Sequence, residues 1–351
     1  MRDPYRIWVS EVMLQQTTVR AVLGRYDAFL ARFPDVGALA RARQESVLAA
    51  WSGLGYYSRA RHLHCAAREI VRRHGGRLPR ELQALRRLPG FGEYISAAVA
   101  SLAFETRVAA TDANVTRVLS RLFAIPGMVG TRRHAEIVRR HAEALLCRRR
   151  PGDVTAALMD LGQMFCTLRR PLCLSCPLTS ICKARRMGES ERYPERRAQP
   201  ATIRVFVAGA FAIHKNRALL VKTRGTLLKD LWQFPSADGG TPSAALANLR
   251  RNLPGLGLRL DRRMPVAVTQ HTIVHRRLEV SVYRAAPRNP KSKFENTESV
   301  RWFTASRLRS AAIPTLTRKI AIASGFLSAP MERILDDNAS PGASSSARCA
   351  R

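Results

Sequence analysis

Four cysteines lie close together in the segment CTLRRPLCLSCPLTSIC, with six, two and five residues between successive ones. Thiolates so near in sequence can surround one compact centre, and they suit either zinc or an iron–sulfur cluster. Zinc sites typically pair two short cysteine knuckles, whereas this segment has a single short one. The spacing therefore favours an iron–sulfur cluster, with zinc as the alternative. The ligands would be Cys166, Cys173, Cys176 and Cys182.

A closed cysteine loop would also order the basic side chains within and beside it. These are Arg169, Arg170 and Lys183, and few acidic residues lie near them. Lysine and arginine are the usual partners of nucleic-acid phosphates. We therefore interpret the metal as a staple that holds a basic, DNA-facing loop in place.

A second motif is the tight turn Pro89-Gly90-Phe91-Gly92, which joins two apolar stretches of LRRLPGFGEYISAAVASLAF. Glycine permits the positive φ angles of such a turn and lets a phosphate approach the backbone. The N-terminus of the following helix adds its dipole. The pattern predicts a helix-hairpin-helix that contacts DNA at Gly90 and Gly92 without regard to base sequence.

The composition supports a polyanionic partner. The chain has 351 residues, with 59 Lys and Arg against 26 Asp and Glu, and a formal net charge of +33. Such a charge favours nucleic-acid binding, although a GC-rich genome that enriches arginine is the alternative explanation. No apolar run approaches the roughly 18 residues of a membrane helix, and MRDPYRIW contains no secretory signal. We expect a soluble, intracellular protein with no membrane partner.

The periodicity of the sequence changes near its middle. Up to about residue 165 apolar residues recur at helical spacing, and Gly75 is expected to end a long helix. Residues 203–213, 217–224 and 278–285 have the pattern of strands, and 244–252 that of a helix. The predicted organisation is an all-α domain at 1–186, a linker at 187–202, an α+β domain at 203–329 and a disordered tail at 330–351.

These motifs together resemble a known family. A helix-hairpin-helix, an acidic residue and a C-x6-C-x2-C-x5-C loop, in that order, resemble the endonuclease III superfamily of DNA glycosylases. Residues 2–19 and 51–64 resemble its adenine DNA glycosylase branch, the MutY family, and the likeness runs from Arg2 to about Cys182. It continues more loosely in the second half, as a Nudix-like domain.

The resemblance implies a multidomain fold and a repair activity. The first domain would be a six-helix barrel with an iron–sulfur subdomain at 166–182 that holds one [4Fe-4S] cluster. The substrate would be double-stranded DNA, from which the enzyme removes adenine mispaired with 8-oxoguanine or guanine. The family likeness also implies a monomer in a bacterial-type cytoplasm, associated with the nucleoid.

Two carboxylates are the expected catalytic pair, because glycosidic hydrolysis passes through an oxocarbenium-like state. Glu11 lies in the apolar segment WVSEVML, where desolvation should raise its pKa. Asp112 precedes an apolar helical stretch, whose N-terminus favours its charged form. The resemblance implies that Glu11 protonates adenine and that Asp112 stabilises the cationic sugar. The alternatives are an exposed, salt-bridged glutamate and a simple N-capping aspartate.

Further residues are expected to contact DNA once the target base has left the stack. The resemblance implies that Gln16 and Tyr56 insert beside 8-oxoguanine, with a core position as the alternative for Tyr56. Tyr94 occupies the position of the lysine that forms a Schiff base in lyases, which implies hydrolysis without strand cleavage. Gln15, Gln16 and Thr17 are expected on one helical turn after Glu11. The remaining expected contacts are Leu54 and Asn114.

Three departures from the family pattern leave two other functions open. Ala156 stands where the family has a Gln or Glu that hydrogen-bonds adenine, and Val274 replaces a serine beside the retained His275, the expected 8-oxoguanine contact. A family Leu-Pro-Trp-Arg motif would precede Arg2. The alternatives are a glycosylase with altered base choice and a truncated lesion-binding protein. SAALANLRRNLPGLG has no acid, so the second domain is expected to recognise DNA rather than hydrolyse pyrophosphates.

Overall fold

The computed structural model describes residues 2–196, 198, 200–223, 228–261, 264–289 and 296–328. Helices fill the part up to Arg186, and a mixed sheet with helices begins at Ile203. The expected tail at 330–351 lies outside the described residues. Within the described ranges, no helix is both long and apolar enough to cross a bilayer.

The first part consists of helices joined by short loops. They are α1 (Pro4–Leu14), α2 (Val19–Arg32), α3 (Val36–Arg41), α4 (Gln44–Ala50), α5 (Ser58–His74), α6 (Leu82–Arg86), α7 (Glu93–Phe104), α8 (Ala113–Phe123), α9 (Arg132–Leu145), α10 (Pro151–Met164) and α11 (Lys183–Arg186).

Local sequence signals account for several of these helix ends. The Asp3 carboxylate accepts hydrogen bonds from two backbone amides in the first turn of α1. Thr18 caps α2 in the same way. Helix α5 ends at Gly75, which has a left-handed φ of 57°, as the sequence predicts. Residues 95–103 of α7 are all buried, so this helix forms the centre of the first part.

Two buried apolar clusters hold the first part together. The larger one joins α1, α2, α4, α5 and α7 around Trp8, Phe29 and Trp51. A second cluster joins α8, α9 and α10 around Leu119 and Val138. The groups that these two clusters position meet at a cleft between them, described below.

The second part is a mixed sheet flanked by helices. Its strands are β1 (Ile203–His214), β2 (Arg217–Lys222), β3 (Trp232–Gln233), β4 (Ser236–Gly239), β5 (Leu258–Leu260), β6 (Ala267–Ile273), β7 (Arg276–Pro287) and β8 (Val300–Phe303), and its helices are α12 (Pro242–Asn252), α13 (Ala305–Arg309) and α14 (Thr315–Ala323). The path β3-β2-β1-β7-β5 is antiparallel except for the long parallel pair of β1 and β7.

The turn between β1 and β2 follows the sequence prediction. Lys215 and Asn216 both have positive φ angles, 45° and 60°, which is the requirement of a tight hairpin turn. Helix α12 begins at Pro242, two residues before the expected start, because the Thr241 hydroxyl caps it.

The segment between α11 and β1 packs along the first part. The backbone amide of Val129 donates to the Glu195 carbonyl at 2.8 Å, and the Arg121 guanidinium donates to the Tyr193 carbonyl at 3.0 Å. The two parts of the chain also share apolar surface, because Leu231 and Ala312 belong to the same buried cluster as Trp51.

Candidate active site

A cleft of about 1180 Å³ opens between the two helical clusters. Glu11 reaches it from the last turn of α1, Tyr94 from the first turn of α7, and Asp112 from the residue that caps α8. Three helix ends therefore bring together residues from distant parts of the sequence, since Glu11 and Asp112 are about a hundred positions apart.

Glu11 is buried and hydrogen-bonded. Glu11 has 8% of its surface exposed, and the Tyr94 hydroxyl donates to Glu11 Oε2 at 2.5 Å. Burial is the main cause that raises the pKa of Glu11, and the nearby Asp112 raises it further, whereas the Tyr94 hydrogen bond lowers it. The resulting pKa lies above that of an ordinary glutamate, so an exposed surface acid is the wrong description.

Tyr94 is held in its neutral form by the same environment. Burial raises the pKa of Tyr94, and the negative charge of Glu11 raises it further. The phenol is therefore a hydrogen-bond donor toward Glu11 throughout the physiological pH range. It supplies no amine to the cleft.

Asp112 caps α8, as the sequence predicts. Its Oδ1 accepts from the Val115 amide at 2.7 Å, and its Oδ2 accepts from Asn114 Nδ2 at 2.9 Å. The N-terminus of a helix favours a negative charge at this point. The capping role and a place in the cleft are thus compatible, because the capped carboxylate lines the same cavity as Glu11.

Asn114 and Arg117 connect the Asp112 carboxylate to the cysteine segment. Arg117 donates to Asn114 Oδ1 at 2.8 Å, to the Gly162 carbonyl at 2.7 Å and to the Cys166 carbonyl at 2.6 Å. Asn114 is therefore a cleft residue whose amide is oriented from both sides.

The residues after α1 form one rim of the cleft, but they do not continue the helix. Helix α1 ends at Leu14, and Gln16 has a left-handed φ of 52°, so the expected helical turn at Gln15, Gln16 and Thr17 is wrong. All three residues nevertheless line the cleft.

The neighbouring loop carries Tyr56, while Leu54 faces away; the Thr17 hydroxyl donates to the Leu54 carbonyl at 3.5 Å, so this loop lies beside the turn after α1. Tyr56 is 48% exposed and lines the cleft, so the core alternative for it is wrong. Leu54 is 4% exposed and packs in the large apolar cluster, so its side chain is not available to DNA. The glycines on either side of Leu54 turn it inward, at φ 93° for Gly53 and 68° for Gly55.

Arg59 joins the turn after α1 to the Tyr56 loop, a role that the sequence does not predict. The buried guanidinium donates to the carbonyls of Val12, Met13, Gln15, Leu54 and Gly55 and to the Thr17 hydroxyl. Burial lowers the pKa of Arg59 to about 10, which leaves it charged at neutral pH. The sequence contains 59 lysines and arginines, so the pattern around Tyr56 does not distinguish Arg59 from the other basic residues.

The four cysteines surround one small cavity. All of them line a space of about 30 Å³, together with Arg121 and Arg185. Arg121 donates to Cys166 Sγ at 3.3 Å. Among the described residues, no group of three or more His, Cys, Asp or Glu side chains lies close enough to hold a single metal ion. Four thiols and two cations fit a thiolate-bound, negatively charged cluster.

Comparisons with known proteins agree with this architecture. The model of the HhH-GPD superfamily of base excision DNA repair proteins matches residues 9–146, and a NUDIX domain model matches 208–323. Human adenine DNA glycosylase is 32% identical over 378 residues, which cover 91% of this chain and 68% of the human protein. The rat enzyme is also 32% identical, over 91% of this chain and 71% of its own.

The chain belongs to the adenine DNA glycosylase family. A thermostable thymine-DNA glycosylase structure is 30% identical over 53% of this chain and 86% of its own, with a TM-score of 0.48. The predicted fold class, a helix-hairpin-helix glycosylase domain followed by an α+β Nudix-like domain, is confirmed by the family matches.

In this adenine DNA glycosylase family member, the hairpin glycines lie outside the cleft. Gly90 has a φ of 77°, and a Cβ there would lie 2.6 Å from the His62 Cβ on α5. Gly90 is thus required both by the turn and by the close approach of α5. Gly92 is the residue before α7.

The family's expected lesion contact is in the second domain, away from the cleft. His275 lies in the turn between β6 and β7, next to Val274 at a φ of 56°, and it does not line the described cleft. Ala156 packs partly buried in an apolar cluster with Tyr94 and Met159, behind the cleft wall.

Proposed function

We propose that the protein is a monofunctional adenine DNA glycosylase that hydrolyses the bond between adenine and deoxyribose opposite 8-oxoguanine or guanine. The observation that carries the proposal is Glu11, a buried carboxyl with a raised pKa that shares one cleft with Asp112. A charge of +33 supports double-stranded DNA as the substrate. By family likeness, the enzyme acts as a monomer.

The two carboxyls divide the reaction between them. Adenine is a poor leaving group, and protonated Glu11 donates its proton to the base as the glycosidic C–N bond breaks. The bonding electron pair leaves with the base, and the sugar becomes a cation that Asp112 stabilises. A water molecule then adds to the sugar carbon, and its proton returns to Glu11.

Tyr94 supports hydrolysis without strand cleavage. A phenol cannot form the Schiff base through which lyases cut the backbone. Its hydroxyl instead keeps Glu11 in one orientation, since the hydrogen bond ends on a single carboxyl oxygen. The proton of Glu11 is then available on the other oxygen.

The cleft rims are suited to an extruded nucleotide. The target adenine must leave the stack to reach Glu11, and side chains must fill the gap that it leaves. Gln16 and Tyr56 take this place, from two adjacent loops that both line the cleft. An exposed aromatic ring stacks on a base of any sequence. The Nudix-like domain covers the other strand, where His275 contacts 8-oxoguanine.

The four cysteines hold one [4Fe-4S] cluster. When bound, the cluster supplies a covalent staple that closes the segment 166–182 and needs no redox change. The segment itself contributes positive charge for DNA phosphates, because Arg169, Arg170 and Lys183 lie next to the cysteines and are exposed. The alternative, a single zinc ion, is not favoured, because among the described residues no three of these side chains lie close enough to hold one ion.

A glycosylase with altered base choice is the second candidate function. Ala156 cannot make the hydrogen bond that a Gln or Glu would make to adenine. Duplexes that carry different mismatched bases therefore separate the two candidates, because only an altered enzyme would release another base faster than adenine.

The test compares wild type, Glu11→Gln and a matched control, Glu93→Gln. Glu93 is an exposed acid on the cleft wall. Single-turnover adenine release from duplexes with adenine opposite 8-oxoguanine is followed by alkaline cleavage of the product. We expect E11Q to lose release but keep DNA binding, whereas E93Q keeps release under single-turnover conditions with saturating enzyme. Full activity of E11Q, or an efficient borohydride-trapped adduct with wild type, contradicts the proposal.

A further inference from the structure

Both ends of the loop that presents Tyr56 are hydrogen-bonded to the same backbone carbonyl of the Nudix-like domain. The carbonyl oxygen of Ile313 accepts from the Tyr57 hydroxyl at 2.9 Å and from the Ser52 hydroxyl at 3.2 Å. Ser52 and Tyr57 stand at the two ends of the loop, and Ile313 lies between α13 and α14. One acceptor of the second domain thus holds both ends of the loop.

The attachment is buried on both sides. Tyr57 and Ile313 are buried, and Leu231 and Ala312 of the second domain belong to the same apolar cluster as Trp51. Burial raises the pKa of Tyr57, so its phenol remains a donor. A buried hydrogen bond of this kind is costly to lose, because without the Tyr57 hydroxyl the Ile313 carbonyl keeps only the longer bond from Ser52.

A second contact fixes the same two domains against each other. The Trp232 indole donates to the Glu45 carboxylate on α4 at 2.9 Å, and Arg301 lies 3.7 Å from the same carboxylate. The backbone amide of Trp232 in turn donates to the Ala312 carbonyl at 2.9 Å. Ile313 is therefore connected to the sheet of the second domain through the neighbouring residue Ala312, which is hydrogen-bonded to Trp232 of β3.

The Tyr56 loop needs such support, because its backbone is in an unfavourable conformation. Tyr56 has a φ of 43°, in the left-handed region that is unfavourable for a bulky residue. From its own domain the loop is held by Trp51 Nε1, which donates to the Gly55 carbonyl at 3.1 Å, and by Arg25 Nε, which donates to the Ser52 carbonyl at 2.9 Å.

We propose that the Nudix-like domain positions Tyr56 through the Ile313 carbonyl, with Tyr57 and Ser52 as positioning residues. Tyr57 directly follows Tyr56, so an anchored Tyr57 ring determines the direction in which the Tyr56 ring projects into the cleft. Binding of a lesion strand by the second domain and insertion of Tyr56 are then coupled. This inference rests on the proposed function in one respect, that Tyr56 contacts the DNA.

The experiment is a double-mutant cycle between Tyr57→Phe and Tyr56→Ala. Every protein in the cycle carries Glu11→Gln, so that no adenine is released during the measurement. The readout is the dissociation constant, by fluorescence anisotropy, for a duplex with adenine opposite 8-oxoguanine and for an undamaged duplex. We expect Y57F to reduce the preference for the lesion duplex about three- to tenfold, the range for one lost hydrogen bond. In the Y56A background, Y57F should have no further effect.

Tyr26→Phe is the matched control. The Tyr26 hydroxyl donates to the Arg6 carbonyl at 3.0 Å within the helical domain, so Y26F removes a tyrosine–carbonyl bond that is exposed and lies away from the interface. Ser52→Ala removes the other donor to Ile313, and it should lower the preference in the same direction if Y57F does not fold. Thermal unfolding of each variant checks the fold.

Two results overturn the inference. One is a Y57F effect that persists at full size in the Y56A background, and the other is a Y57F preference equal to that of Y26F and wild type. Because the readout is binding, it is independent of base release. A wild type that binds lesion DNA but releases no adenine would contradict the proposed function and leave the cycle interpretable.

Discussion

Arg59 is the residue whose replacement is expected to damage the fold and the cleft together. Its guanidinium makes six hydrogen bonds within the described residues, and three of them end on the buried carbonyls of Val12, Met13 and Leu54. Arg59→Met keeps most of the side-chain volume and removes all six. The last turn of α1 and the Tyr56 loop then lose their common donor.

The magnitude follows from the buried acceptors. The Leu54 carbonyl keeps the Thr17 hydroxyl as a donor at 3.5 Å, whereas the Val12 and Met13 carbonyls lose Arg59. A buried acceptor left without a donor costs about 1–3 kcal/mol, so these two give about 2–6 kcal/mol. Relief from burying the cation offsets a part of this, and we expect a net loss of about 2–4 kcal/mol. For a domain of this size each kcal/mol shifts Tm by about 2–4 °C, which gives a decrease of about 5–15 °C.

The measurement is thermal unfolding by circular dichroism, with Arg68→Met as the control. Arg68 is exposed on the same helix, so R68M should unfold within about 2 °C of wild type. Arg59→Lys keeps the charge but donates at most three bonds, and it should fall between wild type and R59M. The reasoning is refuted if R59M unfolds at the same temperature as R68M.

Three further predictions concern the carboxyl pair and the cysteines. Tyr94→Phe removes the cause that lowers the pKa of Glu11, so the high-pH limb of the single-turnover rate should move to higher pH; a limb at unchanged or lower pH contradicts Glu11 as the acid. The folded pKa of Glu11 is raised above its unfolded value of about 4.3, so the native protein loses stability as the pH rises from the unfolded pKa through the folded one. Glu11→Gln removes this loss, so its gain in stability over wild type, measured by urea titration, should grow as the pH rises above about 4, and a constant gain argues against a raised pKa. Cys176→Ser should lose bound iron in elemental analysis, whereas Cys65→Ser, at an exposed lone cysteine, should keep it; iron retained equally by both variants excludes Cys176 as a ligand.

Features encoded within short segments could be predicted from the sequence. The cap at Asp112, the helix end at Gly75 and the hairpin at Lys215-Asn216 each depend on a few adjacent residues, and the structure has all three. The cysteine spacing belongs to the same class, since ligands that lie within one loop line one cavity. Local chemistry determines these features, so no knowledge of the tertiary fold is needed.

The errors arise where a distant residue decides a local conformation. Gln16 follows an apolar helix and was expected to extend it, but Arg59 takes the carbonyls at the end of α1. Leu54 was expected beside DNA because it lies near Tyr56, yet two left-handed glycines turn it into the core. The Ile313 carbonyl lies more than 250 positions from Ser52 and Tyr57, and because it is a backbone atom, no side-chain pattern predicts its contact with them.

Helix polarity gives the two carboxyls opposite surroundings. Glu11 lies in the last turn of α1, where the partial negative charge of the helix end disfavours an ionised carboxylate. Asp112 lies before the first turn of α8, where free amides favour one. For Glu11, the direction of its helix acts in the same sense as burial, the main cause that raises its pKa. A proton donor and an anion can therefore face the same nucleotide, because each stands at the helix end that suits its charge.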